Sequence, residues 1–363
     1  MTDFVHSTVH TGVGVITLDR PNALNSLSLD MVRALTQALR SWRDDSAVRS
    51  VVIRGSTGKA FCAGGDIRFF YEVGRAPTTG GSALLEDFFS EEYALNHLTH
   101  HYPKLYIALM DGIVMGGGMG IAQGGPGSRL RIVTERTKMA MPEVNIGLFP
   151  DVGGSFFLSR TPGQIGAYLG LSGEVINAAD ALHAGLADLF LPSAELPNLL
   201  SLLNQANDAD HRAVVHDFAV PFQPQVQAEA GMLATQRASI DRHFAHHSVA
   251  QIMDSLAQDG SGFAQATLAA MQKRSPLMMC VTLEQLRRGV SLSIADCLRM
   301  ERSMVRRNFE HGEIFEGVRA MVVDKDNAPA WSPPTLDQVT PEMVARFFAP
   351  AWPDYAHPLR ELE

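Results

Sequence analysis

What most constrains the fold is a change of rhythm along the chain. From residue 12 to about 190, short β-rich runs alternate with helical patterns, and glycine or proline separates them. Val13-Gly-Val-Ile-Thr-Leu18 reads as a strand, and Ser28 is placed to cap a helix on which Met31, Val32, Leu35, Leu39 and Trp42 recur at helical spacing. Ser50-Val-Val-Ile-Arg54 is the next strand. Leu84 to His100 gives a second amphipathic helix, and Lys104-Leu-Tyr-Ile-Ala-Leu-Met110 is a buried strand that runs into a glycine cluster. Strand, helix, strand, helix in this order predicts an α/β fold with parallel crossovers. From about 196 no strand-like alternation persists and helical patterns dominate, with capping boxes expected at Thr282-Leu-Glu-Gln285 and Ser293-Ile-Ala-Asp296. The expected division is a core over 1–195 and a mainly helical region over 196–363. Asn204 to Asp210 and the proline-bearing Val220 to Gln227 are the expected loops or hinges.

Composition removes most other classes. With 46% hydrophobic and 19% charged residues in a chain of 363, a globular core is affordable, which argues against a disordered chain, a coiled coil or a disulfide scaffold. A net charge of -9 gives no general attraction to phosphate backbones or anionic lipid, so neither nucleic acid nor a membrane surface is expected as a partner. No apolar run approaches the roughly 20 residues of a membrane span. Cys62, Cys280 and Cys297 have no CxxC spacing and fit neither a disulfide framework nor a zinc ribbon. The first twenty residues match no targeting segment, and the expectation is a cytoplasmic protein. His97 with His101, and His243 with His247, stand at i, i+4 but lack the acid of HExxH, so no metal is implied. GxGxxG, GxxxxGK[ST] and GxSxG are absent, which leaves dinucleotide, nucleoside triphosphate and the usual serine-hydrolase chemistry unsupported.

Three segments place glycine where a reactive backbone needs it. In Lys59-Ala-Phe-Cys-Ala-Gly-Gly-Asp66, Gly64 and Gly65 precede an aspartate suited to cap a helix. Gly112-Ile-Val-Met-Gly-Gly-Gly118-Met-Gly120 takes a strand through three consecutive glycines into a helix start, where unpaired N–H groups and the helix dipole favour negative charge. Each glycine within a helix costs about 1 kcal/mol relative to alanine, so such a run makes sense where the backbone must approach something closely. Two such peptides facing each other make an oxyanion hole. The third segment, Met141-Pro-Glu143-Val-Asn-Ile-Gly147-Leu-Phe-Pro-Asp151-Val-Gly-Gly154, sets two carboxylates eight residues apart. Taken singly, Glu143 also suits the first turn of a helix and Asp151 a simple turn.

Together and in this order, these segments resemble the crotonase (enoyl-CoA hydratase/isomerase) superfamily, and within it the 3-hydroxyisobutyryl-CoA hydrolase branch. Leu18-Asp-Arg-Pro-Asn-Ala-Leu-Asn25 looks like the superfamily's first signature, Ala60-Phe-Cys-Ala-Gly-Gly-Asp66 its second and Met115-Gly-Gly-Gly118 its third, and Ala178 to Ala187 resembles the segment that closes the core. The branch resemblance lies in Ser90-Glu-Glu-Tyr93, in Gly147 to Gly154, and in Glu316 to Asp326 followed by Trp331. The resemblance implies a crotonase-like spiral of ββα units that binds acyl-CoA, with the helical C-terminal region covering the active site. It implies no cofactor beyond the coenzyme A of the substrate. By position, the amides of Gly65 and Gly117 would hold the thioester carbonyl, Glu143 and Asp151 would be catalytic, and Glu92 would bind the substrate near its β-hydroxyl. Leu24, Ala63, Asp66 and Ile67 are further implied substrate contacts. Lys59, Arg68 and Lys325 are candidates for the phosphates of coenzyme A.

The resemblance also bears on the reaction. A hydratase of this superfamily uses two glutamates, one just after the three glycines and one in the Pro-Glu segment. Here the first position is Gly120 and the second Glu143, while Asp151 stands where hydratases have a glycine. The expected reaction is hydrolysis of a short β-hydroxyacyl-CoA thioester, foremost 3-hydroxyisobutyryl-CoA of valine breakdown. Glu143 is expected either to attack the carbonyl, giving a mixed anhydride, or to act as base on water that Asp151 positions. The competing readings are an enoyl-CoA hydratase or isomerase and an acyl-CoA-binding protein without turnover. Gln123-Gly-Gly-Pro-Gly-Ser128 looks about three residues longer than the branch's connection, and a turn there either lengthens harmlessly or reshapes the acyl pocket or a subunit contact. The superfamily includes trimers and hexamers, so an oligomer is compatible with the sequence, as are a monomer and a dimer.

Overall fold

In the computed structural model, which describes residues 2–75, 81–207, 209–227 and 231–363, the β-rich runs pair as two sheets. The strands are β1 (Val5–His10), β2 (Val13–Leu18), β3 (Ser50–Gly55), β4 (Ala60–Cys62), β5 (Leu105–Met110), β6 (Ile113–Met115), β7 (Arg129–Val133), β8 (Lys138–Ala140) and β9 (Leu189–Phe190). The larger sheet has the order β1-β2-β3-β5-β7-β9. Its edge hairpin β1–β2 is antiparallel and every other neighbour is parallel. The smaller sheet, β4-β6-β8, is parallel throughout. Parallel strands need crossovers, and the helix Leu29–Arg43 supplies the first. Ser28 caps it by accepting from the Met31 amide, and Met31, Val32, Leu35, Leu39 and Trp42 are all buried, as their spacing predicts.

The chain forms two compact units. One comprises Met1–Gly65, Ala94–Ala140 and Val175–Ala234 and holds both sheets; the other comprises Asp66–Tyr93, Met141–Glu174 and Thr235–Glu363 and is helical among its described residues. This division differs from the expected one near 195. Helices Leu196–Gln205 and His211–Ala219 bury Leu199, Leu203, Val215 and Ala219 in the same core as Val13, Val52, Ile107 and Ile132 of the sheet. Segments 66–93 and 141–174, although they lie between strands, belong to the unit of the C-terminal helices. An apolar face is buried by whichever element it meets in space, and sequence order does not decide that.

Two local expectations are also corrected. Thr282 is not a cap: it lies inside the helix Pro276–Gly289, where Ser275 caps and Pro276 occupies the first turn. Proline at that position is already helical in φ and lacks an N–H that would be unpaired there anyway, so the stronger start lies seven residues earlier. Val220 to Gln227 is a 3-10 turn, Val220–Phe222, followed by the helix Gln223–Gln227, because proline at the start of a turn permits what it forbids further in. Ser293 does cap Ile294–His311, accepting from the Asp296 amide.

Candidate active site

The first two glycine segments meet within the sheet-bearing unit. β4 and β6 are parallel neighbours, with Ala60 opposite Ile113 and Cys62 opposite Val114, so the chain leaves both at the same edge. The carboxyl edge of parallel strands is where α/β sheets place ligands. After β6, Gly116 takes φ 49° and ψ -121°, a conformation that L side chains avoid, and turns the chain into the helix Gly117–Ala122. A Cβ on Gly118 would lie 2.1 Å from the Cys62 carbonyl oxygen, and one on Gly64 would lie 3.4 Å from the Gly117 nitrogen. Glycine is therefore what lets the two loops nest. Among the described residues, neither the Gly65 nor the Gly117 amide donates to a protein acceptor.

The 18–25 segment clips onto the same place. Leu27 donates to the Gly64 carbonyl at 2.7 Å and Ala63 to the Leu24 carbonyl at 3.0 Å. Asn25, buried and at φ 57°, donates to the carbonyls of Ala60 and Phe61. Leu24, Ala63, Gly65 and Gly117 thus converge. Asp66 begins the helical unit, accepting from the Phe69 amide ahead of the helix Ile67–Arg75. Arg68 donates to the Val322 carbonyl. Lys59 and Lys325 are exposed, and the Lys59 carbonyl accepts from the Ile113 amide of the second glycine segment. The long connection folds as a turn in which a Cβ on Gly125 would lie 1.9 Å from the His100 carbonyl oxygen.

The carboxylates converge within the helical unit. Glu143 opens a 3-10 turn, Glu143–Ile146, behind Pro142, and Gly147 closes it at φ 70°. Glu92 and Tyr93 lie on the inward face of the helix Ala83–His100. The Tyr93 hydroxyl donates to Asp151 Oδ2 at 2.6 Å. Glu92 is 2% exposed, and Glu143 and Asp151 are each 5% exposed. Burial, then the Asp151 charge, pushes both Glu92 and Glu143 well above the usual carboxylate range. Burial raises Asp151 to about 6, with the Tyr93 hydrogen bond working against it. Glu92 Oε1 and Glu143 Oε2 are buried without a protein partner, and no cation among the described residues pairs with these three acids. Buried acceptors left open in this way suit a ligand that brings its own donors.

Sequence reasoning missed two groups here. Tyr93 stood in the Ser90-Glu-Glu-Tyr93 resemblance without a role. Glu301 was not singled out, although it falls on the apolar stripe of Ile294–His311 with Ile294, Leu298 and Val305, where a charged residue is conspicuous. Fully buried, it accepts from the amides of Gly153 and Ser155, and burial raises it to about 8. His243, by contrast, sits buried between Ser255 and Asp259.

The chain belongs to the enoyl-CoA hydratase/isomerase family, whose model matches residues 13–348. Among its relatives, the protein named 3-hydroxyisobutyryl-CoA hydrolase, mitochondrial, of Gallus gallus is 38% identical over 93% of this chain and 87% of its own. The protein of the same name from Xenopus tropicalis is 40% identical over 92% and 86%. A solved structure titled as a carnitinyl-CoA dehydratase from Mycobacterium thermoresistibile superposes with a TM-score of 0.88 at 36% identity, with both chains fully covered. The cytoplasmic expectation, which rested on the cysteine usage, the lack of a long apolar run and the residues at the start of the chain, is corrected by these relatives, which are named as mitochondrial. Among the described residues, no helix is long and apolar enough to cross a membrane.

Proposed function

We propose that this chain hydrolyses a short β-hydroxyacyl-CoA thioester, 3-hydroxyisobutyryl-CoA, to 3-hydroxyisobutyrate and coenzyme A, as a step of valine breakdown; the relatives named 3-hydroxyisobutyryl-CoA hydrolase support the substrate and the reaction. The observation that carries the reading is the meeting of Glu143 with Asp151. Two buried acids without a cation face one task, while Gly120 has no side chain at the position that, by resemblance, holds a hydratase's other glutamate.

Hydrolysis needs an attack on the carbonyl carbon, a place for the oxyanion and a proton for the departing sulfur. The Gly65 and Gly117 amides form the oxyanion hole, where one donor is worth about 3 kcal/mol of transition-state stabilisation. Glu143 acts through its open Oε2. As carboxylate it either adds to the carbonyl and expels the thiolate, leaving a mixed anhydride that water opens, or takes a proton from attacking water and returns it to sulfur. Asp151, ionised at neutral pH and held by Tyr93, orients that water. Glu92 Oε1 receives the substrate's β-hydroxyl. By resemblance, Leu24, Ala63, Asp66 and Ile67 would contact the substrate, and coenzyme A enters as part of it, with no separate cofactor.

The test is thiol release from 3-hydroxyisobutyryl-CoA beside hydration of crotonyl-CoA, with wild type, Glu143→Gln and Asp151→Asn. Thiol release should fall by roughly 10²–10⁴ in each variant. The dehydratase title of the solved neighbour makes double-bond chemistry the competing outcome. Hydration without thiol release would overturn the proposal in its favour, and tight binding without either product would leave a binding protein.

A further inference from the structure

The turn that carries Asp151 is strained. Val152 and Gly153 stand at φ 52° and 90°, and a β-branched residue in the left-handed region persists only where its surroundings over-determine it. Glu301 supplies that constraint. Its Oε2 accepts from the Gly153 amide at 2.7 Å and its Oε1 from the Ser155 amide at 2.8 Å, so one carboxylate grips the backbone on both sides of Gly154. From the neighbouring helix, Gln285 Nε2 donates to the Pro150 carbonyl and to Ser155 Oγ. A Cβ on Gly289 would lie 2.1 Å from the Ser155 carbonyl oxygen, so that helix end is packed against the turn. Glu301 shares its helix face with the buried apolar residues Ile294, Leu298 and Val305. A fully buried carboxylate is costly there and is retained for the bonds it makes.

We infer that Glu301 is a positioning residue for Asp151, fixing the 152–155 backbone so that the Asp151 carboxylate keeps one orientation against Tyr93. The role in hydrolysis rests on the function proposed above; the grip on the turn does not. Both oxygens must accept, and glutamine has only one acceptor and an NH₂ that opposes the second amide.

Glu301→Gln, Asp151→Asn and the double variant are compared with wild type in thiol release and in crotonyl-CoA hydration, using whichever reaction wild type performs. A failure of the hydrolase reading thus leaves this test standing. Because misplacing a reacting group by about 1 Å costs on the order of 100-fold, Glu301→Gln should lower kcat roughly 10- to 100-fold. KM should stay within about twofold, and the double variant should be no slower than Asp151→Asn alone. An unchanged kcat, or losses that multiply in the double variant, overturns the inference. Amide hydrogen exchange of the wild type requires neither turnover nor a folded variant. The Gly153 and Ser155 amides should exchange among the slowest of residues 151–158, and rapid exchange at both would overturn the grip itself.

Discussion

The Tyr93 hydroxyl and Asp151 Oδ2 are joined across 2.6 Å, and both side chains are buried. Burial alone would drive Asp151 towards its neutral form, and the donated hydrogen bond opposes this, leaving the carboxyl at about 6. The tyrosine itself is held well above its ordinary value, by burial first and by Asp151 second, so it stays a donor throughout the working range.

This relationship sets an acid limb. kcat/KM should fall as pH drops and protons go onto Glu143, held above the usual carboxylate range, and onto Asp151 at about 6. Tyr93→Phe removes the bond that lowers Asp151, so the limb should move to higher pH; a pH–rate profile of both proteins checks it, and an unmoved limb assigns the titration elsewhere. The stability linkage runs in the opposite direction to the activity. A folded value raised from 3.8 to about 6 means that Asp151's contribution is full below the unfolded value and is lost as pH rises through 6.

Gly118→Ala sets a helix-propensity gain of about 1 kcal/mol against a Cβ placed 2.1 Å from a backbone oxygen. The clash should win, because Cys62 is backbone in a strand and cannot rotate away. A net destabilisation of about 1–2 kcal/mol is expected. Displacement of the Gly117 amide should cost roughly 10²–10³ in kcat. Thermal unfolding and thiol release measure the two effects separately.

Glu86→Ala should destabilise the helical unit more than a surface change would. Arg302, 1% exposed at its side chain, pairs with Glu86 and donates to Ser90, and Arg306 reaches Glu86 at 3.3 Å. Removing the acid strands a buried guanidinium, a loss of about 3 kcal/mol, since such broken pairs cost 3–5 and Glu86 itself is partly solvated. Urea unfolding checks this; a loss below about 1 kcal/mol would mean that the ring of Trp352 and Ser90 suffice for Arg302.

Much of the site was legible because its parts are local. Gly64, Gly116 and Gly118 mark close approach of backbone, and Glu143 and Asp151 lie within one short segment. Glu301 was not legible as a partner of that segment, although an acid on an apolar stripe was a usable signal. Thr282 shows the opposite failure: a capping pattern of the right letters lies inside a helix that Ser275 and Pro276 had already started.

The strand Val13–Leu18, the capped helix that follows it and the glycine-bearing ends of β4 and β6 could be read from local residue order, because φ preference and side-chain period are properties of neighbouring residues. Only the tertiary structure decided that Glu92, Glu143, Asp151 and Glu301 share one buried site, and that Tyr93 rather than a cation holds Asp151. Desolvation and Coulomb energy depend on distance through space and on the exclusion of water, and neither is written in the spacing of residues 92 to 301 along the chain.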